Sequence, residues 1–517
     1  MDRRCFITTA GALSLIAAVG EARAATAAFD PTEQSIAALL RALAAGAVTS
    51  EALTAAYLKR IARFDHHGPQ YRSVLALNPN ALQVARALDS ERKSGKLRGP
   101  LHGIPIIVKD NIETRDPMAT TAGSYALAKS FRTADAPLAA RLRAAGAIIL
   151  GKANLSEWAN FRSTRSCSGW SGVGGQVRNA YDPARNPSGS SAGSGVAAAA
   201  SFCAAAIGTE TNGSILSPSS VNGLVGLKPT TGVVSGKGVV PISPLQDTAG
   251  PMCRTVGDAA ILAAVIAERP LGFGAHGTDI EGFRLRGTRL GVMPVPQGAH
   301  PDTTRLFADA RAVLEQEGAV TVDLKPAKAF DEMGDSQLEA LLFEFKDAIN
   351  AYLATLDPAQ VDCKSLADLI SFNRTHADDE LIVFGQELFE MAEAKGPLGD
   401  PAYQKARATL TRTADVEGLA TLLGQEGVEV LVGTSNGPAD LIDPVWGDRR
   451  GGGSSQIANA AAIAGYPSLT VPAGLVSGLP VGITLVTRRN QDGLLLQVAR
   501  AYERAANARV PPHLMIS

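Results

Sequence analysis

The residues of this chain best suited to chemistry are serines set among glycines inside apolar sequence. Residues 188–195 (SGSSAGSG) stand immediately before an Ala-rich run, 196–206, that reads as a closely packed helix, and residues 208–214 (GTETNGS) follow it. The second segment is a flexible turn that ends on Ser214, so several backbone N–H groups can converge near one hydroxyl. Main chain arranged in that way builds an oxyanion hole. A Gly/Ser linker would be polar on both flanks, whereas 196–207 and 221–227 are apolar. Upstream, residues 104–108 (IPIIV) read as a buried strand that ends on Lys109. Two readings stand for that lysine: a buried amine, or a strand-end side chain whose ammonium snorkels to water.

A serine nucleophile needs a base. Residues 189–193 match G-x-S-x-G, but a nucleophile elbow on Ser191 requires a strand before it, and 178–187 (RNAYDPARNP) is none. The downstream histidines His276, His300, His376 and His513 lie in no ordered apolar context. Residues 90–93 match S-x-x-K on a charged helix face, which needs no chemistry. Lysine as base remains, with Lys109 serving Ser190 and Ser214 in a variant of the triad logic.

Several elements must position these groups. Ile36, Leu39, Leu40, Leu43, Leu53, Tyr57, Leu58 and Ile61 recur at helical spacing, which predicts two docking helices around Gly46. Helices are expected at 81–93 and 136–145, a strand at 147–151, and a turn into a helix at 154–161. Residues 163–189 and 241–254 read as loop and turn, and 256–267 as helix. From about 272 to 427 a strand at 289–293 and the helix 303–317 precede a charged, mostly helical tract, 336–424, a plausible wall for substrate beside the core. Strand patterns return at 428–432, 468–471 and 481–486 before the closing helix 494–505. Short strands alternating with helices predict an α/β layered fold, in one domain over residues 25–517 with a helical elaboration at about 272–427.

The set 103–110 (GIPIIVKD), 189–194 (GSSAGS), 208–214 (GTETNGS), 226–230 (GLKPT), 247–251 (DTAGP) and 478–482 (GLPVG) resembles the amidase signature family. The resemblance runs from about Ala38 to the C-terminus. It implies a large mixed twisted β-sheet sandwiched between layers of α-helices. Within the family, residues 154–162, 208–211, 384–388 and 464–472 resemble the bacterial peptide amidase branch, which removes ammonia from C-terminally amidated peptides. The family then implies that Ser214 attacks the amide carbonyl, that Ser190, after a cis peptide, relays its proton to neutral Lys109, and that the amides of Thr211, Asn212, Gly213 and Ser214 hold the oxyanion. Asn160, Ser191 and Glu210 are the expected substrate contacts. No metal or organic cofactor is implied. Three positions depart from the family pattern: Ser188 replaces a glycine, Leu216 replaces a common arginine, and Asn212 stands where an acidic residue or glycine is usual. Leu216 also looks like the peptide amidase branch. A broader amide hydrolase with the same triad and a non-catalytic secreted binding protein are the alternatives. An amidotransferase component would be separated by export from its cytoplasmic partners.

At 517 residues and 45% hydrophobic the chain can bury a large core, and 49 basic against 50 acidic side chains give no footprint for nucleic acid. The expected partner is a small amide or peptide substrate, with no obligate protein partner implied. Arg3, Arg4 and Phe6, an apolar run of about 13 residues, and the small-residue site Ala22, Arg23, Ala24 resemble a cleaved twin-arginine export signal over residues 1–24. The run is short of the ~20 residues that a spanning helix needs. A periplasmic or secreted product, not membrane-bound after cleavage, is expected. There Cys167, Cys203, Cys253 and Cys363 would meet an oxidising compartment, where one disulfide is allowed and none demanded.

Overall fold

The computed structural model describes residues 29–273, 278–448 and 454–514, so the expected export segment lies outside the described residues. The chain enters through the helices Ile36–Ala44 and Ser50–Ile61, started by the side chains of Ser35 and Thr49, which accept from the amides of Ala38 and Ala52. Their buried residues include Ile36, Leu39, Leu43, Leu53, Tyr57 and Ile61, positions that the helical spacing selects.

The strands follow in chain order. They are β1 (Val74–Leu77), β2 (Pro105–Lys109), β3 (Ile148–Ala153), the short pair β4 (Trp170–Ser171) and β5 (Gly175–Gln176), and β6 (Ala205–Glu210). Next come β7 (Val225–Lys228), β8 (Thr248–Cys253), β9 (Arg289–Val292), β10 (Val320–Asp323), β11 (Val430–Thr434), β12 (Ser468–Val476) and β13 (Leu479–Thr487). All but β4 and β5 join one mixed 11-stranded sheet in the order β1-β3-β2-β6-β8-β7-β12-β13-β11-β9-β10, with helices packed on it. The β7 to β12 pairing ties strands from the two ends of the chain into that single sheet. This is the α/β sheet architecture that the sequence predicts.

Local structure departs from expectation in three places, each for a physical reason. The Ala-rich run is not one helix: the helix spans Ala192–Ala199, the chain bends, and β6 begins at Ala205. Wedged between β2 and β8 and buried along its whole length, β6 needs small residues and shows no alternation. The segment read as turn at 241–254 contains β8, which carries Pro251 within the ladder opposite Ile207. The helix expected in 154–161 is a single tight turn at Glu157–Asn160, where Trp158, Ala159 and Asn160 have φ of 48°, 55° and 69°. Three consecutive left-handed residues cannot continue an α-helix.

Within the charged tract, the helices Met333–Leu353, Leu366–Thr375 and Glu387–Glu393 form an apolar cluster with Trp158, Phe161 and Ile242. The ring of Trp158 lies 5.6 Å from Phe389, and Phe161 lies 5.1 Å from Phe345. Helices remote in sequence are thereby docked on the segment that carries Asn160. Cys167, Cys203, Cys253 and Cys363 are free and buried. Among the described residues no helix is long and apolar enough to cross a membrane.

Candidate active site

Strands β3, β2 and β6 run parallel, so their carboxyl ends open on the same side of the sheet, where open α/β sheets place their sites. Lys109 is the last residue of β2 and is fully buried. Consecutive strand residues face opposite sides. Lys109 accordingly points toward β6 and the helix Ala192–Ala199, while Asp110 turns the other way, onto Lys152 of β3 at 3.4 Å and the amide of Thr121 at 3.0 Å.

The Lys109 Nζ lies 2.7 Å from Ser190 Oγ, 2.9 Å from Thr209 Oγ1 and 3.4 Å from the Thr209 carbonyl. Burial lowers its pKa to about 7, against the opposing pull of the Asp247 and Glu210 carboxylates. A neutral amine has two N–H donors and one lone pair. With the two oxygens of Thr209 taking the donors, the lone pair is left for the hydroxyl of Ser190. Asn111 Nδ2 donates to the same Thr209 hydroxyl at 2.9 Å and fixes it from the other side. The sequence reading missed Thr209, whose side chain becomes informative only when β2 and β6 are neighbours.

Ser190 follows a cis Gly189–Ser190 peptide and precedes the helix Ala192–Ala199. That helix sits so close to its neighbours that a Cβ on Gly193 would lie 2.3 Å from the carbonyl oxygens of both Asn154 and Ser73. Ser191 is fully buried, its Oγ donating to the Thr209 carbonyl at 3.0 Å and accepting from the Thr209 amide at 3.2 Å.

Beyond Glu210 the chain leaves β6 and turns through Thr211, Asn212, Gly213 and Ser214 into the helix Leu216–Val221. Gly213 has φ +75° and open space where a Cβ would stand. Hydrogen bonds hold this turn through its carbonyls and side chains. The Ser214 carbonyl accepts from Ser191 N at 3.2 Å, that of Gly213 from Ser217 N at 2.8 Å, and that of Thr211 from Gln246 Nε2 at 3.2 Å. Among the described residues no acceptor is found for the amides of Thr211, Asn212, Gly213 and Ser214. Four donors left free beside one hydroxyl can receive a negatively charged oxygen.

Glu210 is buried, and one of its carboxylate oxygens accepts from the amides of Ile215 and Leu216 at 2.7 and 3.1 Å. That oxygen shapes the turn, and the other is buried with no partner among the described residues. Asn160 is half-buried; its Nδ2 donates to Ser168 Oγ at 2.9 Å, and its Oδ1 is buried with no partner among the described residues. Ser188 Oγ pairs with Ser217 Oγ at 2.6 Å, and Leu216 packs with Ile215 and Met252, so the position where an arginine is common in the family is apolar here. Among the described residues no group of three or more His, Cys, Asp or Glu could hold a metal ion.

The Amidase family model matches residues 52–496. A probable amidase of Arabidopsis thaliana is 38% identical over 485 residues, covering 90% of this chain and 88% of the relative. The crystal structure of an amidase family protein from Bacillus anthracis superposes with a TM-score of 0.81 at 33% identity, over 93% of this chain and 93% of that one. The native peptide amidase of Stenotrophomonas maltophilia superposes with a TM-score of 0.87 at 45% identity, over 93% of this chain and 99% of that one. A match of that extent in both sequence and fold means that the chain belongs to the amidase signature family and is a hydrolase of amide C–N bonds.

Proposed function

We propose that the protein deamidates C-terminal peptide amides, releasing ammonia and the free acid, through an acyl-enzyme on Ser214 and a Ser214, Ser190, Lys109 triad. The observation that carries this reading is the buried amine of Lys109, 2.7 Å from Ser190 Oγ and with its pKa lowered to about 7, beside a turn whose amides have no acceptor among the described residues. Ser214 Oγ adds to the amide carbonyl, its proton passes through Ser190 to Lys109, and the new oxyanion takes hydrogen bonds from the Thr211 to Ser214 amides. Each such donor is worth about 3 kcal/mol of barrier. Collapse breaks the C–N bond, and the lysine returns the proton through Ser190 to the leaving nitrogen, which departs as ammonia. Water then adds to the ester by the same route and frees Ser214.

The preference for a terminal carboxamide rests on the likeness to peptide amidase and on Leu216, which makes apolar a position where the family commonly carries an arginine. Asn160, a half-buried residue, is kept as the candidate substrate contact. The reading also keeps export to the periplasm or medium, from the Arg3, Arg4 segment. Ammonia release should be measured on a panel of peptide amides, short aliphatic amides, aryl amides and internal peptide bonds. Turnover of the peptide amides with internal bonds spared is the expected result. Activity only on short aliphatic amides would replace this reading with a broader amide hydrolase.

A further inference from the structure

A turn whose four consecutive amides have no acceptor among the described residues is anchored instead through its Gly213 and Ser214 carbonyls and through side chains. Besides Gln246 on the Thr211 carbonyl, two side-chain tethers hold it, and both reach one helix. Asn212 Nδ2 donates to Gln337 Oε1 at 3.1 Å and to Asn459 Oδ1 on the helix Gln456–Ala464, which uses both of its amide hydrogens. Thr211 Oγ1 donates to Asp247 Oδ1 at 2.5 Å, and Asp247 Oδ2 accepts from the amides of Ile242 and Ser243 at 2.8 and 3.0 Å. The hydroxyl of Ser243 in turn donates to Glu344. Glu344 is itself fixed, by Tyr403 Oη at 3.0 Å and by Arg407 at 3.6 Å. Gln337 and Glu344 lie two turns apart on one face of the helix Met333–Leu353, and both are buried.

We propose that the helix Met333–Leu353 is a positioning element for the Thr211 to Ser214 turn, aiming its free amides at the reacting carbonyl through Gln337 to Asn212 and through Glu344, Ser243 and Asp247 to Thr211. None of these helix residues touches the reacting atoms. They act by denying the turn other conformations, and a displacement of about 1 Å in such a site can cost about 100-fold in rate. The inference rests on the reading of Ser214 as nucleophile and of the turn as its oxyanion hole.

The test uses the full-length enzyme, a peptide amide substrate and a peptide aldehyde inhibitor. Ser214 would add to the aldehyde carbonyl and create an oxyanion in the same place as in the reaction. Thr211→Val and Gln337→Met cut one tether each without creating a charge. Each should lower kcat by about 10-fold or more while KM stays within about threefold, and each should weaken the aldehyde in step with the fall in kcat/KM. Thr211→Ser, which restores a hydroxyl, should recover the larger part of the loss. A tether with only a structural role would lower thermal stability without moving aldehyde affinity, and that result overturns the proposal. So does a Thr211→Val enzyme with wild-type kcat. If one variant fails to fold, the other carries the same comparison. Ser214→Ala separates the two levels: an active Ser214→Ala enzyme refutes the underlying reading, whereas an inactive one beside fully active tether variants refutes only the role of the helix.

Discussion

Lys109 shows how burial can prepare an ordinary side chain for the role of base that we propose for it. Taking its ammonium out of water pushes the pKa down to about 7, and the Asp247 and Glu210 carboxylates oppose that shift without cancelling it. In the proposed mechanism the base is the neutral amine, whose population is lost as pH falls below about 7. The rate under chemistry-limited conditions should therefore climb through that pH and flatten above it, and a flat profile from pH 5 to 9 would exclude the mechanism. Lys109→Arg keeps a cation that cannot deprotonate, so kcat should fall by about 100-fold to 10,000-fold, as for removal of a general base. Ser191→Ala makes the contrast. Its hydroxyl bridges the amide and carbonyl of Thr209, so the variant should lose ~1–3 kcal/mol in urea unfolding yet keep turnover, whereas a nucleophile elbow on Ser191 would make it inactive.

At the scale of an element, the tight turn Glu157–Asn160 is held in its left-handed course by charges sealed from water. Arg162 donates to Glu157 at 2.5 Å, approaches Glu380 at 3.4 Å, reaches the Phe384 carbonyl at 3.2 Å, and lies 4.3 Å from the Phe384 ring centre. All three charged side chains are fully buried. Glu380 also accepts from Ser124 Oγ and from the Tyr125 amide, so the network joins the turn to two distant loops. Removing the cation leaves two carboxylates buried together. Arg162→Met should cost ~3–5 kcal/mol in equilibrium unfolding, far more than a surface ion pair. The same variant should raise KM through displacement of Asn160; a stability change under about 1 kcal/mol would show that the network relaxes to let water in.

Across the whole molecule, the four described cysteines are buried in the core and none is in a disulfide, although Cys203 and Cys253 lie close enough to interact electrostatically. Burial pushes the thiols of Cys167 and Cys203 up to about 12 and that of Cys363 to about 11, which removes the reactive thiolate at neutral pH. In the native state Cys167, Cys203, Cys253 and Cys363 should resist alkylation, with all four labelled after unfolding, as peptide mass mapping would show. The melting temperature should not respond to a reductant. A disulfide-linked peptide in the map, or a drop in melting temperature with reductant, would contradict this arrangement.

Much of this was legible in the chain alone. Periodic apolar residues marked the entry helices and the closing helix Asp492–Ala506, and β-branched runs marked β2, β3, β11 and β13, because those elements bury one stripe or a continuous apolar run and their composition records it. Lys109 at a buried strand end and Ser214 at the end of a glycine turn were equally visible, since their chemistry depends on immediate neighbours. Tertiary structure alone decided the rest. It made a strand of Ala205–Glu210, where small residues are demanded by neighbours on both sides, and another around Pro251. It set Ser191 against the backbone of Thr209, and Glu210 against the amides of Ile215 and Leu216. It also brought Gln337 and Asn459 to Asn212 across 125 and 247 residues of sequence. A local pattern records which face of an element is buried; it carries no trace of a hydrogen-bond partner that arrives from a distant helix, because that pairing is set by the packing of the whole sheet and its helices.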